Sequence, residues 1–222
     1  MYIIEQKTLT LNATESLVGI IEHTACPDNP MQEWSMLGTL AVHPSHAHWA
    51  NEAIDLDIPT GNDPITHMEN FIKDKGYKLD GVIAYPVTKF EHGGISLSLG
   101  DNRSCPFDSC IAGFIYAEKE KIRKEFGVKR ITAAIEEKVA QSFENELEVL
   151  TQYLNGEVYG FRIYQVNTAE FEKYGEHCLE QSECIDRCCG YYDKKQVIAE
   201  MLDIMNYTKE QYQWAVANEE NI

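Results

Sequence analysis

The 222-residue chain is 44% hydrophobic and carries a formal net charge of −17, from 36 acids against 19 lysines and arginines. That apolar content suffices for a substantial core, while so negative a chain disfavours direct contact with nucleic acid or anionic lipid. No run reaches the roughly 18 to 20 apolar residues that cross a bilayer, and the opening MYIIEQKTLTL lacks a basic flank followed by an apolar signal core. The expectation is a soluble protein of a bacterial host cytoplasm, with its seven cysteines as reduced thiols.

The first half of the sequence reads as strands. Segments 2–6, 16–22, 37–43, 81–87, 94–99 and 110–117 are short, rich in β-branched, aromatic or other apolar residues, and bounded by Gly, Pro, Asn or Asp. Between the third and fourth, Asp63 is a cap, Pro64 fits a first turn, and Ile65, Met68, Phe71 and Ile72 form one apolar face that Gly76 closes. This predicts a helix packed on a sheet.

After Ala117 the period changes. Residues 119–126 form a short charged helix ended by Gly127, and 131–154 repeat apolar residues at Ile135, Val139, Phe143, Leu147, Leu150 and Leu154. Residues 157–166 return to strand, a cysteine-bearing loop follows, and two C-terminal helices finish the chain, the last with a capping box of Thr208 and Gln211. Strands that dominate early without regular alternation point to an α+β fold: a mainly antiparallel sheet with a long amphipathic helix and C-terminal helices packed on it. The expected organisation is one domain over 1–222, with 194–222 as a helical C-terminal appendage.

Charge is unevenly placed. Residues 1–75 hold 11 acids and 3 bases, 76–130 hold 7 and 9, and 131–222 hold 18 and 7. The six bases of 119–130 are too weak a patch to bind nucleic acid against the whole. Neither GxxxxGK[ST] nor a GxGxxG after a strand is present, which argues against a nucleotide enzyme.

Five blocks stand in order: EWSMLGTLAVH (33–43), HGGISLS (92–98), SCPFDSCIAGFIYAEKEKIRKEFGVKRI (104–131), YLNGEVYGFRIY (153–164) and a closing CCGYYD turn (188–193). Together they resemble a widespread family of uncharacterised bacteriophage and mobile-element proteins. Its pattern reads W-D-N-L-G-T-M, H-S-G, C-P-W-D-S-G-x-V-G-F, a K-E-x-x-R-K-E-F-G helix and D-S-C-W-G-F-Y. Trp34, Gly38, His92, Cys105, Pro106, Asp108, Ser109, Gly113 and Gly190 match it. Ser35 and Met36 stand where it has D-N, Gly93 where it has serine, and Cys110 where it has glycine. The resemblance implies a phage or plasmid context and names no reaction.

Three chemistries follow from the residues. Cys105, His92 and Asp108 supply the thiol, base and orienting carboxylate of a thiol-dependent hydrolase or transferase; the plainer account is a tight Pro turn around a small buried thiol. Cys105 and Cys110, with Cys184 and Cys188, have the short spacings of a zinc site that would stabilise a structural or regulatory phage protein. His43, His46 and His48 form a second candidate metal cluster, while the main expectation is that no cofactor is needed.

Acidic partner binding fits the composition best. Glu136, Glu137, Glu144, Glu146 and Glu148 lie on the long helix, where Glu137, Glu144 and Glu148 share one side. Glu170, Glu172, Glu176, Glu180 and Glu183 would extend the charge. The expected role is to inhibit a host nucleic-acid-targeting defence, of restriction or CRISPR type, by occupying a basic nucleic-acid channel. Opposite potentials speed such association roughly 10- to 1,000-fold, less so in salt.

Overall fold

The computed structural model of the chain describes residues 2–54 and 63–219. In chain order its elements are β1 (Ile3–Thr10), β2 (Glu15–His23), α1 (Pro30–Glu33), β3 (Thr39–Val42), a 3-10 turn (Pro44–Trp49), β4 (Glu52–Ala53), α2 (Pro64–Asp74), β5 (Val82–Glu91), β6 (Ile95–Leu99), β7 (Ser109–Glu118), α3 (Lys119–Glu125), α4 (Ala133–Leu154), β8 (Tyr159–Asn167), α5 (Thr168–Tyr174), β9 (Glu183–Tyr191) and α6 (Lys194–Glu219). The protein is α+β, and its pairing is antiparallel except between β3 and β4. None of the helices among the described residues is long and apolar enough to cross a membrane.

The strands fall into two sheets, and the chain divides into two compact units, Met1–Pro27 with Gly156–Ile222 and Asp28–Asn155. In the first unit the order is β1-β2-β8-β9. Leu17, Val18, Ile20 and Ile21 of β2 are all fully buried, because both faces of this strand are covered. On one face α6 lays Val197, Met201 and Met205 against Leu17, Ile21, Phe161 and Ile163; on the other, Val18, Ile20, Tyr164 and Val166 pack with Phe171 and Leu179. The helix at 194–219 is therefore part of a core. Gly19 makes room for it, since a Cβ there would meet the sulfurs of Met201 and Met205 at 2.7 Å.

The second unit holds the sheet β4-β3-β7-β5-β6. Val139, Phe143, Leu147 and Leu150 of α4 recur at spacings of four, four and three and cover one face, against Leu40, Val42, Val87, Leu97 and Ile115. Burying each such side chain is worth about 1.5–3 kcal/mol. Helix α2 packs Ile72 and Phe71 on the opposite face, with Ala41, Val82 and Tyr116. Its start is as the sequence predicts: the Asp63 carboxylate accepts the Ile65 N–H at 3.0 Å and Pro64 sits in the first turn. At Gly113, paired with Val42, a Cβ would lie 2.0 Å from the Ala41 carbonyl oxygen, so only glycine lets β3 and β7 close.

Two expectations fail at the C-terminal end. The cysteine-bearing segment and the supposed closing turn are not loop: 183–191 form the edge strand β9, antiparallel to β8. Its residues are mostly exposed and include Asp186 and Arg187, so its sequence lacks the apolar alternation that announces a strand. The pair of terminal helices is one continuous helix, α6. Thr208 is no cap; its hydroxyl donates to the Ile204 carbonyl at 2.9 Å, inside that helix.

Candidate partner-binding surface and the thiol turn

Helix α4 presents two faces of opposite character. Because 137, 144 and 148 are separated by seven and four residues, they stack on one side of the helix, and all three are exposed. Among the described residues none of them is in an ion pair. From Glu137 to Glu148 the stripe runs about 16 Å at the helical rise. Its opposite side is pinned by Val139, Phe143, Leu147 and Leu150, which fixes the side of the helix that these glutamates occupy.

Glu146 departs from the expected acidic face. It is only 9% exposed, and its carboxylate accepts the backbone N–H of Leu37 at 2.6 Å and of Gly38 at 2.9 Å. Burial raises this carboxyl above the usual range, and the two N–H groups and Lys121 offset part of that. The Lys121 ammonium donates to the Met36 carbonyl at 2.7 Å. The segment 36–38 is thus held from α3 and α4, and Trp34 just before it is 42% exposed.

The second acidic group belongs to the other unit. Glu172 lies on α5, Glu176 in the 3-10 turn that follows, and Glu180 just beyond; all are exposed, as are Glu170 and Glu183.

The structure does bring Cys105, Asp108 and His92 together. The turn is closed by Ser109 N–H on the Cys105 carbonyl at 2.9 Å and by Cys105 N–H on the Ser109 hydroxyl at 3.3 Å. The Cys105 thiol donates to Asp108 Oδ2 at 3.3 Å, and His92 Nδ1 lies 3.5 Å from the same oxygen. The carboxylate, not the imidazole, is the group at the sulfur. A nucleophilic thiol requires a base to take its proton and a third group to orient that base. Here the sequence of contacts is thiol, carboxylate, imidazole, with the His92 side chain 76% exposed. Phe107, 94% exposed, projects from the same turn.

Cys105 and Cys110 are in one unit, Cys184 and Cys188 in the other. Among the described residues no group of three or more His, Cys, Asp or Glu side chains is placed to hold a metal ion. His43 instead caps the 3-10 turn, with its Nδ1 against the Ser45 hydroxyl at 2.8 Å and accepting the Ser45 N–H at 3.2 Å. His46 packs on Trp49, with ring centroids 5.1 Å apart, and its burial holds its pKa below the ordinary value.

One arrangement has no counterpart in the sequence reading. On the first unit's sheet, Arg162 of β8 and Arg187 of β9 stand directly opposite each other, beside Cys189. Reading β9 as loop hides that pairing; the only local signal is a basic residue within DRCCG. Comparison of the chain with family models, curated proteins and solved structures returned no match.

Proposed function

We propose that the chain is a phage or mobile-element accessory protein that works by binding, its α4 carboxylates engaging the basic nucleic-acid channel of a host restriction or CRISPR-type defence protein. The observation that carries this reading is the stripe of Glu137, Glu144 and Glu148, exposed, in register and fixed by the buried side of the same helix. A packed helix presents the three carboxylates along one line, so a cationic partner need not order the backbone that carries them. The phage context comes from the resemblance of the five sequence blocks. The net charge of −17 favours fast, salt-sensitive association with such a channel.

The test is capture of partners by the tagged protein from a bacterial lysate at low salt and at about 0.5 M salt, followed by the triple variant Glu137→Lys, Glu144→Lys, Glu148→Lys. The reading requires a nucleic-acid-targeting host protein that is retained at low salt, released at high salt and lost by the variant. Capture undiminished by the charge reversal would overturn the assignment to α4.

A thiol-dependent hydrolase or transferase is the second reading, favoured by the convergence of Cys105, Asp108 and His92. The order of those contacts weighs against it. Replacing Cys105 with Ala abolishes turnover if the protein is such an enzyme and leaves partner capture intact if it is a binder.

A further inference from the structure

An open groove of about 440 Å³ lies on the first unit's sheet, lined by Thr24, Cys26, Gly160, Arg162, Arg187 and Cys189 among others. Cross-strand register explains how it forms. Two rows run over β2, β8 and β9: Glu22, Gly160 and Cys189 in one, Ile20, Arg162 and Arg187 in the next. Alternation along the strands puts both rows on the same face, with Cys188 directed to the other. Gly160 leaves the floor low, since a Cβ there would come within 2.9 Å of the Cys188 carbonyl oxygen and 3.1 Å of the Cys189 Cβ.

The charges of this groove do not balance. Like charges directly opposite across a strand pair are destabilising, yet Arg162 and Arg187 are directly paired. Glu22 neutralises one of them, at 2.7 Å from the Arg162 guanidinium. Arg187 is exposed and, among the described residues, has no ion pair. A chain of net charge −17 thus keeps an uncompensated guanidinium beside two exposed thiols, Cys26 and Cys189. A ligand that supplied a carboxylate would pair with the Arg187 guanidinium.

We infer that the groove binds a small carboxylate-bearing disulfide, with Arg187 holding a carboxylate and Cys189 exchanging with the sulfur. The Cys189 thiolate attacks one sulfur of the ligand. A new S–S bond joins Cys189 to half of the molecule, the original S–S bond breaks, and the departing thiolate takes up the proton that Cys189 released. The guanidinium fork matches the carboxylate in two parallel hydrogen bonds, which keeps the disulfide beside the attacking sulfur. This site is on the unit that does not contain α4, so it stands or falls apart from the proposed acidic stripe.

The test uses the full-length reduced chain with oxidised glutathione as the anionic probe and bis(2-hydroxyethyl) disulfide as the neutral one. Adduct formation at each cysteine is followed by peptide mass mapping, with exposed Cys110 of the other unit as the internal reference. With the anionic probe Cys189 should react about tenfold faster than Cys110. Arg187→Gln should remove that advantage while leaving the rate at Cys189 with the neutral probe unchanged, with circular dichroism to show that the variant is folded; Arg187→Lys should retain part of it. First adducts on Cys26 or Cys188, a Cys189 rate no greater than that of Cys110, or equal effects of Arg187→Gln on both probes would each overturn the assignment.

Discussion

The carboxylate of Glu146 accepts the backbone N–H of Gly38 at 2.9 Å, tying the middle of α4 to the entry of β3 from within the core. A Cβ at position 38 would stand 2.8 Å from the same carboxylate and 2.6 Å from the Ile115 Cδ1, so the contact also requires glycine there. The acid that looks like one more member of a charged face is a structural tether.

Glu146→Ala should therefore lower stability by about 2–4 kcal/mol, because it leaves the Leu37 and Gly38 donors buried without an acceptor. Urea unfolding measures it. A loss within about 0.5 kcal/mol, as expected of a surface acid, would show that the tether contributes nothing.

The same group sets a pH dependence. Its folded-state pKa is raised above the ordinary value of 4.5, chiefly by burial. The folded chain then holds this proton more tightly than the unfolded chain. The group's contribution to stability is full below about 4.5 and is lost as pH rises through the folded value. The stability of the wild type relative to Glu146→Gln should accordingly fall between pH 4.5 and neutrality. A difference that grows with pH over that range would contradict the sign.

Gly113→Ala should cost about 3 kcal/mol or more, since a methyl group 2.0 Å from the Ala41 carbonyl oxygen forces β3 and β7 apart. Calorimetry would register this as a drop in Tm. A Tm equal to the wild type would mean that the strands do not approach as described.

Thr208→Pro discriminates one C-terminal helix from two. Inside the continuous helix α6 the ring displaces the carbonyl of Ile204 and removes an N–H, at a cost of about 3 kcal/mol. At the N-cap of a separate helix the change would cost only the lost cap, about 1 kcal/mol, and leave the helix content intact. Helix content by circular dichroism and the unfolding free energy report which case holds.

Reversing Glu137, Glu144 and Glu148 should leave stability within about 0.5 kcal/mol per site, since all three are exposed and unpaired among the described residues. Thermal melts of the variants check this. A large loss would mean that any weakened capture reports unfolding, not a lost contact.

Much of the architecture is legible in local pattern. Apolar runs locate β2, β5 and β7, the Asp63-Pro64 pair marks the start of α2, and the spacing of Val139, Phe143 and Leu147 orients α4. These features depend on neighbours a few residues away, which is the range over which helix and strand periodicity operate. The proximity of His92 to Asp108 is also foreshadowed, because a hairpin and a turn place them near each other in the second unit.

What tertiary structure decided lies between distant residues. The separation of the strands into two sheets follows from β2 pairing with β8, some 140 positions later, which no local period encodes. An exposed edge such as β9 draws its order from backbone bonds to β8, so its polar sequence carries no strand signal. Only that pairing sets Arg187 against Arg162. Glu146 has the same chemistry as Glu144 and Glu148, but it stands seven residues after Val139 and four before Leu150, on the buried side of α4, where Leu37 and Gly38 cover it. Sequence alone determined which residues are apolar, charged or turn-forming; packing between remote segments determined which carboxylates remained free and which were enclosed, because desolvation depends on what covers a group and not on the group itself.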